Sequence, residues 1–324
     1  MQIARWPRVQ RLTTGPASYS HCRLERNSSD VARRVVFTAL ESIGKAGSLL
    51  KLLLVRHLWG VDISNGFAPY IAEWHEEGYE ALETPLVFLP DRNLFRRTLK
   101  EEGFAWIPQV FSNQFTPSGT VAEHLLSLKS QIEECLEDNP LFINGHTGSD
   151  AWTYTQAEDF YGATLEMEAE LGVPISHETH RLRYFCNPWN TQPILQRFPS
   201  LKLTCDYSHW VCVAERLLPD CGEILQLSAE HCWHLHARVG FEEGPQVPDP
   251  RAPEWSQHLE VHEQWWQQIW KAQEAAGREV STLVPEFGPP PYMHTIPFTQ
   301  APVADLNAIC NWMAQRERDR FESR

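Results

Sequence analysis

The chain has 324 residues and a net charge of −14, with 28 Lys and Arg against 42 Asp and Glu. No stretch approaches the roughly 20 consecutive apolar residues that a membrane-spanning helix requires, which argues against a membrane partner. Residues 1–56 carry ten basic and three acidic residues, net +7, which against the −14 of the whole chain leaves −21 on residues 57–324. Nucleic-acid binding depends on neutralising phosphates with Lys and Arg, so this charge argues against a nucleic-acid partner and a nuclease function.

Residues 1–49 differ in composition from the rest of the chain. No acid precedes Glu25, whereas Arg, Ser and Thr are frequent, and Gly15-Pro16 interrupts any early element. We expect an N-terminal extension over 1–49, disordered or partly helical. An acid-poor, Arg-rich beginning is also typical of an organellar transit peptide, and a start codon assigned too far upstream would give the same pattern.

The eight cysteines show neither a CxxC pair nor the spacing of a small secreted scaffold. Disulfides are rare in reducing compartments, and cysteines in strand-like runs behave as small hydrophobic residues. We therefore expect a cytoplasmic protein, with organellar targeting by the N-terminal extension as the alternative.

From Leu50 onward, strand-like and helix-like segments alternate with short links, the pattern of βα units in a parallel sheet. The predicted strands cover residues 50–61, 81–89, 105–111, 141–144, 173–178, 201–206, 232–237 and 280–286. The predicted helices cover residues 68–77, 93–102, 121–137, 156–171, 191–197, 255–276 and 303–318. Eight units with right-handed crossovers predict an α/β fold, a closed (β/α)8 TIM barrel that forms one catalytic domain over residues 50–324.

Four strands in the second half of the chain end in residues that commonly bind metal ions, namely Glu178, Asp206, His236 and Glu286. Singly, each is as readily a salt-bridged carboxylate or a core histidine. Barrel enzymes place their chemistry at the carboxyl ends of the strands, so the four should converge. Three buried carboxylates are costly unless a cation offsets them. We expect one divalent ion, and this donor set favours Mn²⁺ or Mg²⁺ while leaving Co²⁺, Fe²⁺ and Zn²⁺ open.

The run Asp206-Tyr-Ser-His209, taken with Glu178, His236 and Glu286, has a familiar spacing. It resembles the Glu, Asp-x-x-His, His and Glu of ketose 3-epimerases and hydroxypyruvate isomerases, within the xylose isomerase-like TIM-barrel superfamily (the sugar phosphate isomerase/epimerase family). The resemblance covers residues 50–321. It implies that both glutamates bind the metal and also exchange the substrate proton. It further implies that His209 contacts a substrate oxygen.

The resemblance does not define the substrate. Those relatives carry a substrate arginine several residues after the metal histidine, whereas Arg238 follows His236 by only two residues. We keep Arg238 as a candidate substrate contact. The further candidates are His146, His180, Arg181 and His234. Their structural alternatives are loop capping for His146, ion pairing with surface acids for Arg181, and orientation of metal ligands for the other two histidines.

The expected activity is that of a metal-dependent isomerase or epimerase. Such an enzyme moves a proton alpha to a carbonyl of a sugar or small hydroxy-carbonyl compound, through an enediolate. That proton is too weakly acidic to leave unaided, and a cation on the carbonyl oxygen with a glutamate base makes its transfer feasible. The alternatives are a metal-dependent dehydratase (lyase) on an inosose-like substrate and a non-catalytic sugar-binding barrel. In each case the partner is a small carbohydrate-like molecule, and a homo-oligomer is compatible with the sequence.

Overall fold

The computed structural model describes residues 50–113 and 117–324, in which eight parallel strands form a closed barrel. Each strand pairs with the next along the chain, and β8 pairs with β1. The strands are β1 Lys51–His57, β2 Tyr79–Thr84, β3 Ala105–Phe111, β4 Ile143–His146, β5 Ile175–Glu178, β6 Lys202–Cys205, β7 Cys232–His236 and β8 Val280–Val284. The predicted (β/α)8 barrel is confirmed, whereas the predicted extension over residues 1–49 lies outside the described residues.

Helices connect the strands on the outside of the barrel. Those of the described residues are α1 Ala68–Glu76, α2 Arg92–Glu102, α3 Val121–Leu136, α4 Tyr154–Leu171, α5 Pro188–Arg197, α6 Tyr207–Ala214, α7 Gly222–His231, α8 Ser256–Ala275 and α9 Leu306–Glu322. Two 3₁₀ turns cover Leu86–Phe88 and Pro253–Trp255. In the part of the chain that the structure describes, no helix combines the length and apolar character needed to cross a bilayer.

The sequence encodes the ends of two long helices through local hydrogen bonds. At the start of α3, the Thr120 side chain accepts from the Glu123 N–H while the Glu123 carboxylate accepts from the Thr120 N–H. The same reciprocal pair, Thr153 with Gln156, begins α4. These capping boxes satisfy N–H groups that a helix end would otherwise leave unpaired. Gly172 ends α4 in the left-handed conformation, with φ of 67°.

Some predicted elements differ from the observed ones. The second strand was predicted over residues 81–89, but β2 ends at Thr84, because Pro85 has no N–H for the ladder and a 3₁₀ turn follows it. No helix was predicted between residues 206 and 232, where the structure contains α6 and α7. Helix α6 begins with five consecutive buried residues, so it lacks the alternation of apolar and polar faces that reveals a surface helix.

The inside of the barrel is layered along the strands. An apolar cluster, formed by Val55, Ala81, Ile107, Phe142 and Val284, fills the interior. Alternate residues of a strand share a face, so the residue two positions later on each strand lies above this cluster. Those residues are all polar, namely His57, Glu83, Gln109, Asn144 and Glu286, and all are buried. The barrel therefore has a polar layer at its carboxyl end, supported by an apolar layer below.

We predict that Leu128→Ala lowers the free energy of unfolding by roughly 2–5 kcal/mol, because it removes fully buried apolar atoms. Leu126→Ala on the same helix α3 is the matched control, since the Leu126 side chain is 73% exposed and should change stability little. Urea denaturation of both variants measures the difference. Equal losses would show that α3 packs on the barrel through a different face.

Candidate metal centre

The four side chains predicted to bind a metal converge at the carboxyl end of the barrel. Glu178 ends β5 and His236 ends β7, while Asp206 and Glu286 lie one and two residues beyond β6 and β8. All four are buried, and one donor atom from each lies within 4.8 Å of the others. Strands that are distant in sequence thus bring three carboxylates and one imidazole to a common point.

The Glu178 carboxylate is held on one oxygen and unpartnered on the other. Its Oε2 accepts a hydrogen bond from Asn144 Nδ2 at 3.0 Å and lies 2.9 Å from His146 Nε2. Burial alone would raise the pKa of Glu178, but His146 and His236 lower it to about 2. Glu178 Oε1 is buried and has no hydrogen-bond partner within the described ranges of the chain. A buried carboxylate oxygen in this state is costly unless a cation approaches it.

The His236 ring is held between carboxylates on both sides. Its Nε2 lies 3.3 Å from Glu83 Oε2, and its Nδ1 lies 3.0 Å from Glu286 Oε2 and 3.8 Å from Glu178 Oε2. Burial favours the neutral imidazole, but Glu286, Glu83 and Glu178 raise the pKa of His236 well above its ordinary value. With Glu83 holding Nε2, the other nitrogen faces the centre, as in metal sites where a carboxylate orients the ligating histidine.

Glu83 is a residue that the sequence analysis missed. Its Oε1 accepts from Asn144 Nδ2 at 2.7 Å, and its Oε2 lies 3.2 Å from His234 Nε2. The alternation Ala81, Glu83 at the end of β2 was the available signal, and the prediction of an over-long second strand obscured it. Gln109 was also missed, and its Nε2 donates to Glu286 Oε1 at 3.3 Å.

Asp206 and Arg238 form an ion pair inside the centre. Asp206 Oδ1 caps α6 by accepting from the Ser208 N–H at 3.1 Å, and Oδ2 pairs with Arg238 Nη2. The same guanidinium nitrogen lies 3.4 Å from Glu286 Oε2, and Arg238 Nε donates to Ser208 Oγ at 3.1 Å. Burial raises the pKa of Asp206 to about 6, although Arg238 opposes this effect. Arg238, proposed from sequence as a substrate contact, thus neutralises part of the carboxylate charge.

Three histidines lie beside the four convergent residues. The ring centroids of His146 and His180 are 4.7 Å apart, and those of His180 and His209 are 4.0 Å apart. His209 Nε2 lies 2.7 Å from Arg238 Nη2. Burial lowers the pKa of His180 to about 3 and that of His209 well below its ordinary value, so both rings are neutral. His146, Glu178 and His180 also bring donor atoms within 4.8 Å of one another.

The remaining candidates lie at different depths. His234 is one layer below His236, where its Nδ1 lies 2.7 Å from Thr282 Oγ1, so it supports the centre from beneath. Arg181 lies at the rim, with its guanidinium carbon 4.8 Å from the centroid of Tyr292.

The segments that follow β7 and β8 are joined by two hydrogen bonds. The Gln246 side chain exchanges hydrogen bonds of 2.7 and 3.2 Å with the backbone of Gly288.

The residues fit a divalent cation. The carboxylates in contact here are Glu83, Glu178, Asp206 and Glu286, and the charged groups opposite them are His236 and Arg238. Negative charge exceeds positive charge among these groups, and Glu178 Oε1 has no hydrogen-bond partner among the described residues. Oxygen donors with one imidazole are ligands that Mg²⁺ and Mn²⁺ accept. A bound divalent ion would balance the centre, in which case His236 must lose its ring proton to ligate.

No family model and no curated protein matches this sequence. Solved structures do match. A xylose isomerase-like TIM-barrel protein from Mycobacterium smegmatis in complex with magnesium has a TM-score of 0.54 at 12% identity, covering 84% of this chain and 97% of that one. The probable 3-DHS dehydratase AsbF from Bacillus anthracis has a TM-score of 0.53 at 12% identity, covering 84% and 100%. A family 2 AP endonuclease from Brucella melitensis has a TM-score of 0.52 at 14% identity, covering 81% and 98%.

These likenesses concern the fold. The chain has the closed parallel barrel of the xylose isomerase-like TIM-barrel proteins, and the resemblance stated from the sequence is confirmed at that level. The structure places the motif residues of that resemblance at the carboxyl end of the barrel.

We predict that Arg238→Met destabilises the metal-free protein by roughly 3–5 kcal/mol, because Asp206 and Glu286 would lose their buried partner. Arg197→Met is the control, since Arg197 pairs with Glu158 at the surface and its loss should change stability little. Denaturant unfolding in the presence of a chelator measures both. Similar stability for the two variants would contradict the role assigned to Arg238.

Proposed function

We propose that this protein is a metal-dependent isomerase or epimerase that moves a proton alpha to a carbonyl of a sugar or small hydroxy-carbonyl compound. The observation that carries the proposal is the convergence of Glu178, Asp206, His236 and Glu286 donor atoms within 4.8 Å. The presence of magnesium in the Mycobacterium smegmatis barrel supports the same class of ion here. We infer one divalent ion per chain, Mn²⁺ or Mg²⁺, held by these four residues.

When bound there, the ion would stabilise negative charge on the carbonyl oxygen and the neighbouring hydroxyl oxygen of the substrate. Asp206 and His236 serve in this proposal as ligands only. Ser208 and Arg238 hold the Asp206 carboxylate, and Glu83 holds the His236 ring, so neither ligand needs to reorganise during the reaction. Preorganised charges of this kind are effective because they require no rearrangement as charge develops.

Glu178 and Glu286 are the proposed proton-transfer groups. Strands β5 and β8 are three strands apart around the barrel, so the two carboxylates approach the substrate carbon from different walls. A base on each face of that carbon gives epimerisation, whereas one base serving two adjacent carbons gives aldose–ketose isomerisation. Gln109 positions Glu286 from the side, and Asn144 positions Glu178. In both reactions the product keeps the mass of the substrate.

The histidines beside the centre favour one alternative, a metal-dependent dehydratase. Elimination needs an acid that protonates the leaving hydroxyl group, and His146 lies 2.9 Å from Glu178 Oε2 in a position to supply one. The neutral His180 and His209 rings beside it would orient the substrate by hydrogen bonds. AsbF, a probable dehydratase with the same fold, supports keeping this alternative. The Brucella endonuclease shares the fold as well, but the net charge of −21 on residues 57–324 opposes a phosphate backbone.

We predict that the purified protein contains close to one divalent ion per chain and that Asp206→Asn lowers this content substantially. Asp220→Asn is the matched control, because Asp220 lies on the surface and pairs with Arg216. Elemental analysis gives the stoichiometry. Thermal unfolding with added Mn²⁺ should show a higher melting temperature for the wild type but not for Asp206→Asn, since a ligand that binds the native state stabilises it. A wild type without bound metal and without a Mn²⁺ response would refute the site.

We predict that Glu286→Gln abolishes deuterium exchange at the substrate carbon while the fold is retained. The assay is a screen of ketoses, their phosphates and inososes in heavy water with Mn²⁺, read by mass spectrometry. Glu254→Gln, in an exposed turn, is the control and should exchange like the wild type.

Metal content must be measured for Glu286→Gln in parallel, because this glutamate is also a proposed ligand. Loss of exchange with metal retained assigns the proton transfer to Glu286, and retained exchange removes Glu286 from the mechanism. Net loss of water would favour the dehydratase. Binding of these compounds without exchange would favour the sugar-binding barrel.

A further inference from the structure

Arg181 lies at the rim of the centre and is held there by its neighbours. It is the third residue after Glu178, and its side chain is partly exposed. The His180 ring contacts the Arg181 carbonyl oxygen, and the buried Arg183 donates from Nη1 to the Ser112 carbonyl at 3.0 Å. The segment that carries Arg181 is therefore fixed on both sides, and the guanidinium lies over the Tyr292 ring at 4.8 Å.

Tyr292 connects Arg181 to the centre. Its ring centroid is 5.1 Å from the guanidinium carbon of Arg238, which pairs with Asp206. The same ring packs edge-on against Trp59 at 4.8 Å and lies 6.5 Å from the His209 ring. The Tyr292 ring is therefore in contact with both Arg238 of the metal centre and Arg181 of the rim.

Arg181 has no carboxylate partner among the described residues. Arg238 differs, because it pairs with both Asp206 and Glu286. Arg216 also stacks on an aromatic ring, at 5.0 Å from Trp189, yet it pairs with Asp220 at 3.1 Å. In a chain with 42 acids and 28 basic residues, Arg181 is therefore a fixed cation at the rim that no acid of the described residues neutralises.

The chemistry of the guanidinium defines the class of ligand. Its N–H donors form a planar fork that matches the two oxygens of a carboxylate or two oxygens of a phosphate. Stacking on Tyr292 restricts the rotation of the side chain, so less freedom is lost when the anion binds. A neutral hydroxyl group would gain less from such a fork, since it offers one oxygen where the fork matches two and carries no negative charge to compensate the guanidinium.

We propose that Arg181 binds a carboxylate or phosphate of the substrate, which is therefore an anionic sugar derivative or hydroxy acid. This inference rests on the proposed function for the reaction, whereas the anion site itself rests on Arg181 and Tyr292. It also explains how an acidic protein can attract an anionic substrate, because Arg181 provides positive charge at the entrance to the centre.

The first test measures anion binding without any reaction. Isothermal titration calorimetry with inorganic phosphate and with malonate compares the full-length, Mn²⁺-loaded wild type with Arg181→Gln and Arg216→Gln. Arg216 is the matched control, because it also stacks on a ring but is already paired with an acid. We expect Arg181→Gln to weaken binding of at least one anion roughly 10- to 100-fold, as when a charge-assisted hydrogen bond is lost, and Arg216→Gln to bind normally. No binding to the wild type, or equal binding by all three proteins, overturns the inference.

The second test separates the two anion chemistries in a matched series. Dihydroxyacetone, dihydroxyacetone phosphate and hydroxypyruvate share a three-carbon hydroxyketone and differ in the terminal group. We expect one of the anionic compounds to undergo deuterium exchange faster than dihydroxyacetone, and Arg181→Gln to lower the ratio of the exchange rate of that anion to the exchange rate of dihydroxyacetone.

The outcomes distinguish this inference from the proposed function. Exchange of dihydroxyacetone as fast as that of both anions, unchanged in Arg181→Gln, overturns the anionic substrate and leaves the proposed reaction intact. Anion binding that depends on Arg181, without exchange of any compound, supports the anion site and counts against the proposed reaction.

Discussion

The structure of the centre depends on an imbalance of buried charge. Among the described residues, the carboxylates of Glu83, Glu178, Asp206 and Glu286 lie at the carboxyl end of the barrel, where Arg238 and the His236 ring lie opposite them. Carboxylates withdrawn from water are costly, and mutual repulsion adds to that cost. The protein reduces it with hydrogen bonds from Asn144 and other side chains, but Glu178 Oε1 has no hydrogen-bond partner in the part of the chain that the structure describes. A divalent cation is the simplest group that would complete this arrangement.

The barrel makes the arrangement rigid. On five of the eight strands an apolar residue points inward and a polar residue follows two positions later, so much of the polar layer rests on a packed apolar cluster. Close packing below restricts the side chains above, because neighbouring strands share both layers. Ligand positions are thereby set by the strand register and not by flexible loops. Asp206 is fixed in the same way, because the carboxylate that faces the centre also caps helix α6.

The proposed chemistry and the proposed substrate class depend on different residues at the carboxyl end of the barrel. Proton transfer depends on Glu178 and Glu286, which come from the walls of the barrel. Substrate selection depends on Arg181 and Tyr292, which come from the segments that follow β5 and β8. Barrel proteins with one fold can differ in substrate because these segments vary while the strands persist. The two sets of residues can therefore be tested separately.

The sequence alone determined the alternation of strands and helices and the ligand-type residues at four strand ends, because periodicity and residue chemistry are local properties. The prediction from sequence made β2 too long and missed α6 and α7. It also overlooked Glu83, Gln109 and Asn144, whose hydrogen-bond partners in the centre are 34 to 177 residues away in the sequence. It also could not reveal that Arg238 pairs with Asp206, or that Arg181 lies beside Tyr292 with no acid partner among residues 50–113 and 117–324. Only closure of the barrel decided these contacts, because it brings eight strand ends from across the chain to one point and sets which charges meet there.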